Sequence, residues 1–210
     1  MKINHKNKYI FVHVPKTAGV SILSSVNEGG GMWDNVMGHT PISEIRKRHR
    51  KEYDEYFKFA FVRNPWDRIV SAFHFLTNGG RGNEEDQKRQ KYLIKNYNGD
   101  FKKFIKSLPL KKYLVKLNTF YSLHFLEQTY WLCDERGNID VDFVGKFENL
   151  KDDFKRACKC GGIKSAELSR HNKSTHNHYT KYYDEEMINI ISELYEKDIS
   201  LFGYTYDMRK

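Results

Sequence analysis

Short apolar runs alternate with amphipathic and polar stretches along the chain. Residues 9–14 and 57–62 are rich in β-branched and aromatic side chains, and a proline follows each run within three residues. This pattern predicts two buried strands. Residues 130–133 and 141–147 repeat it on either side of a polar turn at 134–138, which predicts two more strands.

Apolar residues at helical spacing, together with N-capping residues, predict helices after several of these runs. The predicted helices begin near Val20, after caps at Ser43 and Asp67, at Phe101, Thr119 and Leu150, and at the acidic residues 184–186. Strands that alternate with helices indicate an α/β domain with a mostly parallel central sheet.

The length of 210 residues favours a single domain that spans residues 1–210. Residues 77–91 contain Gly79, Gly80 and Gly82, many charges and hardly an apolar side chain. We predict that this stretch is a flexible surface loop within the domain, because the patterns on both sides belong to one sheet.

Charge and composition narrow the function. Lys and Arg number 36 against 27 acidic residues, so the net charge of +9 favours an anionic partner such as a nucleotide, an acidic glycan, nucleic acid or a membrane surface. A lysine-dense segment at 102–116 either guides such a partner or is a solvated helix face.

No apolar run is long enough to span a membrane and no signal peptide is evident, so we expect a cytoplasmic protein. Its three cysteines are too few for a disulfide framework.

The first run is followed by Pro15-Lys16-Thr17-Ala18-Gly19-Val20-Ser21 and then by a predicted helix. Such a turn directs backbone N–H groups and the positive end of the helix dipole to one point, which suits a phosphate. Lys16 adds a cation, Thr17 and Ser21 add hydroxyl donors, and Gly19 leaves space for an anion to approach the backbone. The alternative is an ordinary β–α turn with an exposed lysine. The spacing differs from that of the nucleoside-triphosphatase P-loop, in which the lysine follows the last glycine.

A second strand–turn–helix pattern spans residues 59–73. Arg63 lies where the predicted strand ends, at the edge where open α/β sheets bind ligands. Ser71 lies on the predicted helix that follows, and an arginine with a hydroxyl suits a second phosphate.

The segments HVPKTAGVS and FAFVRNPWDRIVSAF resemble the two motifs with which sulfotransferases bind 3′-phosphoadenosine 5′-phosphosulfate (PAPS). The resemblance is greater to the carbohydrate branch, sulfotransferase family 2, which includes the uronosyl 2-O-sulfotransferases. Segment VDFVGKFENLKDDF and the C-terminal residues are also similar to that branch. The fold we expect is therefore a P-loop-like three-layer sandwich with a mostly parallel central sheet and helices on both faces.

The resemblance implies roles for individual residues. Residues Pro15 to Ser21 would bind the 5′-phosphosulfate, and Arg63 with Ser71 would bind the 3′-phosphate. In the C-terminal loop, Ser174 and Lys181 are candidates to close over the 3′-phosphate or the adenine.

Sulfuryl transfer to a hydroxyl needs charge stabilisation at the leaving oxygen and a base for the hydroxyl proton, and it requires no metal. Lys16 is expected to stabilise the leaving oxygen. Histidine suits the base because imidazole titrates near neutrality, and the resemblance points to His39 in a Gly-His segment. His13 is interpreted as a packed or structural residue of the first strand.

The implied reaction converts PAPS to adenosine 3′,5′-bisphosphate (PAP) and sulfates a hydroxyl acceptor, a saccharide or a glycolipid. Two other classes stay open on the sequence: a P-loop-type nucleotide kinase and a basic nucleic-acid-binding module. No recognised nucleic-acid motif supports the second of these.

Overall fold

The structure is a computed structural model of the whole chain. It describes residues 2–27, 33–34, 39–116, 123–164, 168 and 177–207, with only the backbone at 27, 33–34 and 110–116. The strands are β1 (Lys2–Asn4), β2 (Tyr9–Val12), β3 (Trp33–Asp34), β4 (Phe57–Val62) and β5 (Phe143–Lys146). The helices are α1 (Gly19–Asn27), α2 (Ile42–Arg48), α3 (Arg50–Glu55), α4 (Pro65–Thr77), α5 (Glu84–Tyr97), α6 (Phe101–Lys116), α7 (Thr129–Leu132), α8 (Leu150–Cys160), α9 (Glu185–Leu194) and α10 (Glu196–Phe202).

The five strands form one sheet in the order β3-β1-β2-β4-β5. β4 is parallel to both β2 and β5, whereas β1 is antiparallel to β2 and β3. The parallel register aligns Phe11, Phe59 and Phe143 in one row. All of β2 and the last four residues of β4 are buried, as expected where both faces of a parallel sheet are covered. The predicted α/β fold with a mostly parallel sheet is confirmed, and it is compatible with a three-layer sandwich.

The chain divides into two compact units, each built from two segments. The first unit contains Met1–Arg63 and Glu127–Lys173, and the second contains Asn64–Leu126 and Ser174–Lys210. All five strands belong to the first unit. The assignment of residues 1–210 to a single domain stays a prediction.

One aromatic face of the sheet forms the core of the first unit. Burial in this core raises the pKa of the Tyr9 phenol. The phenol oxygen accepts a hydrogen bond from the side-chain amide of buried Asn4. The core residues come from β2, β4, α1, α8 and the turn after α8, and the buried ones are Tyr9, Phe11, Ile22, Val26, Phe59, Phe61, Phe154, Ala157, Cys158 and Ile163.

The second unit is helical and has a buried arginine at its centre. Arg68, on α4, donates to the carbonyl of His124 at 3.1 Å and to that of Leu126 at 2.5 Å. Its guanidinium also lies 5.7 Å from the centre of the Tyr195 ring. Carbonyl acceptors and an aromatic face offset part of the cost of burying this charge.

The prediction of a flexible loop at residues 77–91 is wrong. Helix α4 continues to Thr77 and α5 begins at Glu84, so only residues 78–83 connect them. Asn83 caps α5 by accepting from the Asp86 amide at 2.9 Å, and Asp86 in turn accepts from Arg89 at 2.8 Å. The charged residues therefore form the first turns of a helix whose buried apolar positions come later in the chain.

Three other local predictions are corrected. Residues 130–133 were predicted as a strand, but Thr129–Leu132 is the short helix α7. The residue before α2 is Pro41 rather than Ser43, and Asn64 rather than Asp67 caps α4. Within the described residues, no helix is both long and apolar enough to cross a membrane.

Candidate active site

The turn between β2 and α1 has an unusual backbone. Lys16 and Ala18 adopt left-handed conformations, with φ angles of 68° and 65°. Each such residue costs on the order of 1 kcal/mol, and strain of this kind concentrates at binding sites. Alternating conformations direct successive N–H groups into one concavity that suits an anion. The predicted phosphate loop is therefore a turn with an anion-binding type of backbone.

Helix α1 continues from this turn with the groups an anion needs. The Ala18 carbonyl accepts from the Ile22 amide at 3.1 Å, so the helix starts immediately after the loop. The N–H groups of a first helical turn have no carbonyl partner within the helix. The first turn, which contains Val20 and Ser21, carries no acidic side chain that would repel a phosphate.

Thr17 is fully buried beneath the loop. Its hydroxyl donates to the Val14 carbonyl at 2.9 Å. A hydroxyl has one proton to donate, so in this conformation Thr17 stabilises the loop itself. Pro15 is also buried, whereas the Lys16 side chain is half-buried.

The reason predicted for Gly19 is corrected by the structure. A Cβ atom built on Gly19 would overlap the imidazole of His13. The space at this glycine is thus filled by a side chain of the protein and is not left open for an anion. Gly19 is required because the His13 ring packs directly against its backbone.

His39 lies beside the same loop. Its Nδ1 is 2.6 Å from the carbonyl oxygen of His13. A carbonyl oxygen can only accept, so Nδ1 carries the proton and Nε2 is the basic nitrogen of the neutral ring. The His39 ring centre lies 4.4 Å from that of His13 and 5.8 Å from that of buried Trp131. The end of β2, the loop that follows it and the predicted base His39 therefore lie next to one another.

Arg63 links the second predicted motif to the first. It follows the last residue of β4 and is 5% exposed. Its guanidinium donates to the Lys16 carbonyl at 3.2 Å and lies 4.0 Å from the centre of the Phe147 ring. The arginine predicted to bind the 3′-phosphate is thus also a partner of the left-handed residue in the first loop.

The sequence did not single out Gln128, which is fully buried at this site. Its side-chain oxygen accepts from the Arg63 amide at 2.8 Å, and its nitrogen donates to the Arg63 carbonyl at 2.8 Å. The carboxamide therefore binds both backbone groups of Arg63, as a neighbouring strand would. The available signal was a polar step, Glu127-Gln128-Thr129, between the apolar residues of HFLEQTYWL, but nothing local indicates which backbone Gln128 contacts.

The other predicted ligands belong to the second unit. Ser71 is buried on α4, and Lys181 is exposed in a 3-10 turn at Tyr179–Lys181. Ser174 lies outside the described residues. The ring centre of His74, also on α4, lies 4.9 Å from that of Tyr182.

The lysine-dense segment on α6 is partly paired within the second unit. Lys102 lies 2.6 Å from Asp184 and Lys106 forms an ion pair with Glu186, both at the start of α9. The Lys102 ammonium holds the pKa of the Asp184 carboxyl below its ordinary value. These pairs favour the interpretation of a solvated helix face for this part of the segment. The side chains of Lys111, Lys112 and Lys116 lie outside the description.

Comparisons with known proteins identify relatives of the chain. The model of the sulfotransferase family matches residues 1–205. An uncharacterized protein of Archaeoglobus fulgidus is 30% identical over 67% of this chain and 98% of its own length. Carbohydrate sulfotransferase 14 of Danio rerio is 25% identical over 96% of this chain and 61% of its own length. Carbohydrate sulfotransferase 10 of Xenopus laevis is 26% identical over 72% of this chain and 48% of its own length.

The chain thus spans about half to three fifths of the length of these two vertebrate relatives. No solved structure matches the chain significantly.

Proposed function

The chain belongs to the sulfotransferase family, and we propose that it transfers the sulfuryl group of PAPS to a hydroxyl of a saccharide or glycolipid acceptor. Two of its relatives are named carbohydrate sulfotransferases, which supports the choice of acceptor. The observation that carries the proposal is the contact of 2.6 Å between His39 Nδ1 and the His13 carbonyl. Through it, the candidate base adjoins the candidate phosphosulfate loop.

The 5′-phosphosulfate would bind at the turn between β2 and α1. Backbone N–H groups at Lys16 to Ser21 would hold its oxygens, supported by the positive end of the α1 dipole. The Lys16 ammonium would stabilise the negative charge that develops on the bridging oxygen as the sulfuryl group leaves. The left-handed backbone at Lys16 and Ala18 supports the proposal that the N–H groups of this turn hold the phosphosulfate.

The 3′-phosphate would bind to Arg63, with Ser71 as the second donor. A guanidinium forms charge-assisted hydrogen bonds with phosphate, and Arg63 is held at the end of β4 by Gln128. Ser174 and Lys181 of the C-terminal region remain proposed contacts to the 3′-phosphate or the adenine.

The acceptor proton would pass to His39. As the acceptor oxygen forms its bond to sulfur, the bond from sulfur to the 5′-phosphate oxygen breaks and PAP leaves. His39 Nε2 takes the hydroxyl proton, and the resulting imidazolium keeps its Nδ1–H hydrogen bond to the His13 carbonyl. The negative charge stays on the phosphate of PAP, beside Lys16.

Isothermal titration calorimetry with PAP, ATP and an oligonucleotide tests the ligand class. We expect PAP to bind, and to bind equally well in EDTA, because the proposed contacts are cations and amides. Tighter binding of ATP in the presence of magnesium would support a nucleotide kinase instead. Preferred binding of the oligonucleotide would support a nucleic-acid-binding module.

The base is tested after a screen of saccharides with labelled PAPS has identified an acceptor. His39→Ala is expected to lower turnover by about 10²–10⁴-fold, because general-base catalysis contributes on that order. PAP affinity should stay within about twofold, since the base acts in the transition state. His5→Ala is the matched control, because His5 is an exposed histidine of the same unit. A turnover of His39→Ala within threefold of the wild type would mean that another group is the base.

A further inference from the structure

His13 occupies a position between the phosphosulfate loop and the candidate base. We propose, on the basis of the proposed function, that His13 is a positioning residue: its imidazole ring sets the placement of His39 relative to the loop that starts α1. Three contacts carry this inference, one with the backbone of Gly19 and two with neighbouring rings.

The first contact explains why residue 19 is a glycine. Gly19 has a helical position at the start of α1, and its φ is not in the left-handed region. Alanine is the most favourable helical residue, so the backbone alone does not require glycine here. A Cβ on residue 19 would overlap the His13 imidazole, with Nε2 and Cδ2 the atoms it meets first. The missing side chain is therefore replaced by the ring of His13.

The second and third contacts are with two neighbouring rings. The Phe11 ring stacks on that of His13 with centres 5.7 Å apart and planes inclined by 21°. The His39 ring centre lies 4.4 Å from that of His13, with planes inclined by 52°. Phe11 belongs to β2 and is fully buried, so it provides a rigid support.

The backbone carbonyl of His13 adds a restraint that any residue could supply. It accepts the Nδ1–H of His39 and thereby orients Nε2 as the basic atom. The carbonyl alone leaves the imidazole of His39 able to rotate about this hydrogen bond. Packing against the His13 ring removes that freedom, because the two centres are close enough for van der Waals contact.

A double-mutant cycle between residues 13 and 19 tests this coupling. Gly19→Ala displaces the His13 ring from its contact with His39, and we expect turnover to fall roughly tenfold to a hundredfold, since a misplacement of about 1 Å can cost that much. His13→Ala should lower turnover by about tenfold. In the double variant, the deleted ring leaves room for the new Cβ, so its turnover should equal that of His13→Ala. Additive losses would overturn the inference.

His13→Phe separates packing from ring chemistry. Phenylalanine keeps an aromatic ring of similar volume and has no nitrogen, so a positioning role predicts turnover within about threefold of the wild type. A turnover as low as that of His13→Ala would show that an imidazole nitrogen acts directly, and would overturn the positioning role.

Imidazole ¹⁵N NMR of the full chain provides a readout that needs no acceptor. The wild type should show one Nδ1-protonated tautomer for His39, identified by the signal that His39→Gln removes. Gly19→Ala and His13→Ala should change the shift or broaden it, and the double variant should resemble His13→Ala. An unchanged His39 signal in every variant would overturn the inference.

Gly161→Ala is the steric control. Its Cβ would overlap the ring of Phe57, which is the first residue of β4. Phe57 belongs to the same unit as the loop but lies at the opposite end of the parallel strands. Gly161→Ala should lower thermal stability without changing the His39 signal. Failure of the wild type to bind PAP would contradict the proposed function, whereas the NMR result decides the role of His13 independently.

Discussion

The turn after β2 and the turn after β4 both lead from a parallel strand into a helix, but they present different groups. In the first, Lys16 and Ala18 are left-handed and the first turn of α1 carries no acidic side chain. In the second, Pro65 begins α4 and has no N–H to offer. Asn64 then accepts from the Trp66 amide at 3.1 Å and from the Asp67 amide at 3.4 Å.

From this difference we propose that an anion is bound mainly by the backbone at the first turn and by a side chain at the second. At the first turn, we propose that the backbone amides at the start of α1 bind an anionic ligand. At the second turn, a side chain of the protein already caps the helix, and Asp67 adds a negative charge to its first turn. A phosphate at the second turn therefore has to be recognised by the Arg63 side chain, whereas one at the first turn can be held by the backbone.

Among the variants that test this comparison of the two turns, Lys16→Ala should have the largest effect. We expect turnover to fall by about 10²–10³-fold and phosphosulfate affinity to fall as well, because the ammonium acts in both the ground and the transition state. Steady-state kinetics with labelled PAPS measures both. Lys8→Ala is the matched control, since Lys8 is an exposed lysine that is also left-handed, with a φ of 50°. Equal losses in the two variants would show that the charge at residue 16 has no special role.

Arg63→Ala should weaken PAP binding by roughly 10- to 100-fold, the equivalent of about 1.5–3 kcal/mol for a charged hydrogen bond. Adenosine 5′-monophosphate should also bind more weakly, but by less, because Arg63 donates to the Lys16 carbonyl in the first loop. Calorimetry with both nucleotides measures the ratio. Arg50→Ala, which removes an exposed arginine of the same unit, should leave both affinities unchanged. A larger loss of affinity for the monophosphate than for PAP would contradict the assignment of Arg63 to the 3′-phosphate.

Gln128→Leu should destabilise the fold, because it leaves two buried backbone groups of Arg63 without their partner. Each unsatisfied group costs about 1–3 kcal/mol, so urea unfolding should show a loss of at least about 2 kcal/mol. Gln128→Glu should also be destabilising, because it buries a carboxylate against the Arg63 carbonyl, to which it cannot donate. Equal stability of Gln128→Leu and the wild type would contradict the strand-like pairing described for this residue.

Asn64→Ala should have the smallest effect. Loss of an N-cap costs about 1 kcal/mol, and Asn64 also donates to the Thr205 carbonyl at 3.1 Å. Thermal unfolding should show this loss, and Asn64→Asp should recover the capping part of it. PAP affinity should stay within about twofold if the second turn recognises phosphate through Arg63. A larger fall in affinity would mean that the backbone at this turn contributes to binding.

Local sequence patterns were sufficient for elements whose apolar residues lie within one segment. β2 is a continuous apolar run, β4 is interrupted only by Lys58, and α8 ends at Cys160 just before two glycines, as predicted. Local patterns failed where an element is stabilised by contacts that lie outside the segment in which the pattern was sought. The charged start of α5 is stabilised by the pair Asp86–Arg89 and by burial of Leu93, which lies beyond the stretch that looked loop-like.

The same limit applies to the candidate site. Lys16 and Arg63 were predicted because each belongs to a contiguous strand–turn–helix motif. Gln128 was missed because its partner Arg63 is 65 residues away in the sequence, and a buried carboxamide can satisfy any backbone. His13 was interpreted correctly as a packed residue, but the reason that residue 19 must be glycine follows only from where that ring lies.

The α/β class, the two strand–turn–helix motifs and the charged residues in them follow from the amino-acid sequence alone, because these depend on spacing along a few consecutive residues. Tertiary structure decided which groups those residues meet: the Lys16 carbonyl for Arg63, the backbone of Arg63 for Gln128, and the His13 carbonyl for His39. The physical reason is that hydrogen bonds and ring contacts act over a few ångströms, and only folding brings distant residues that close.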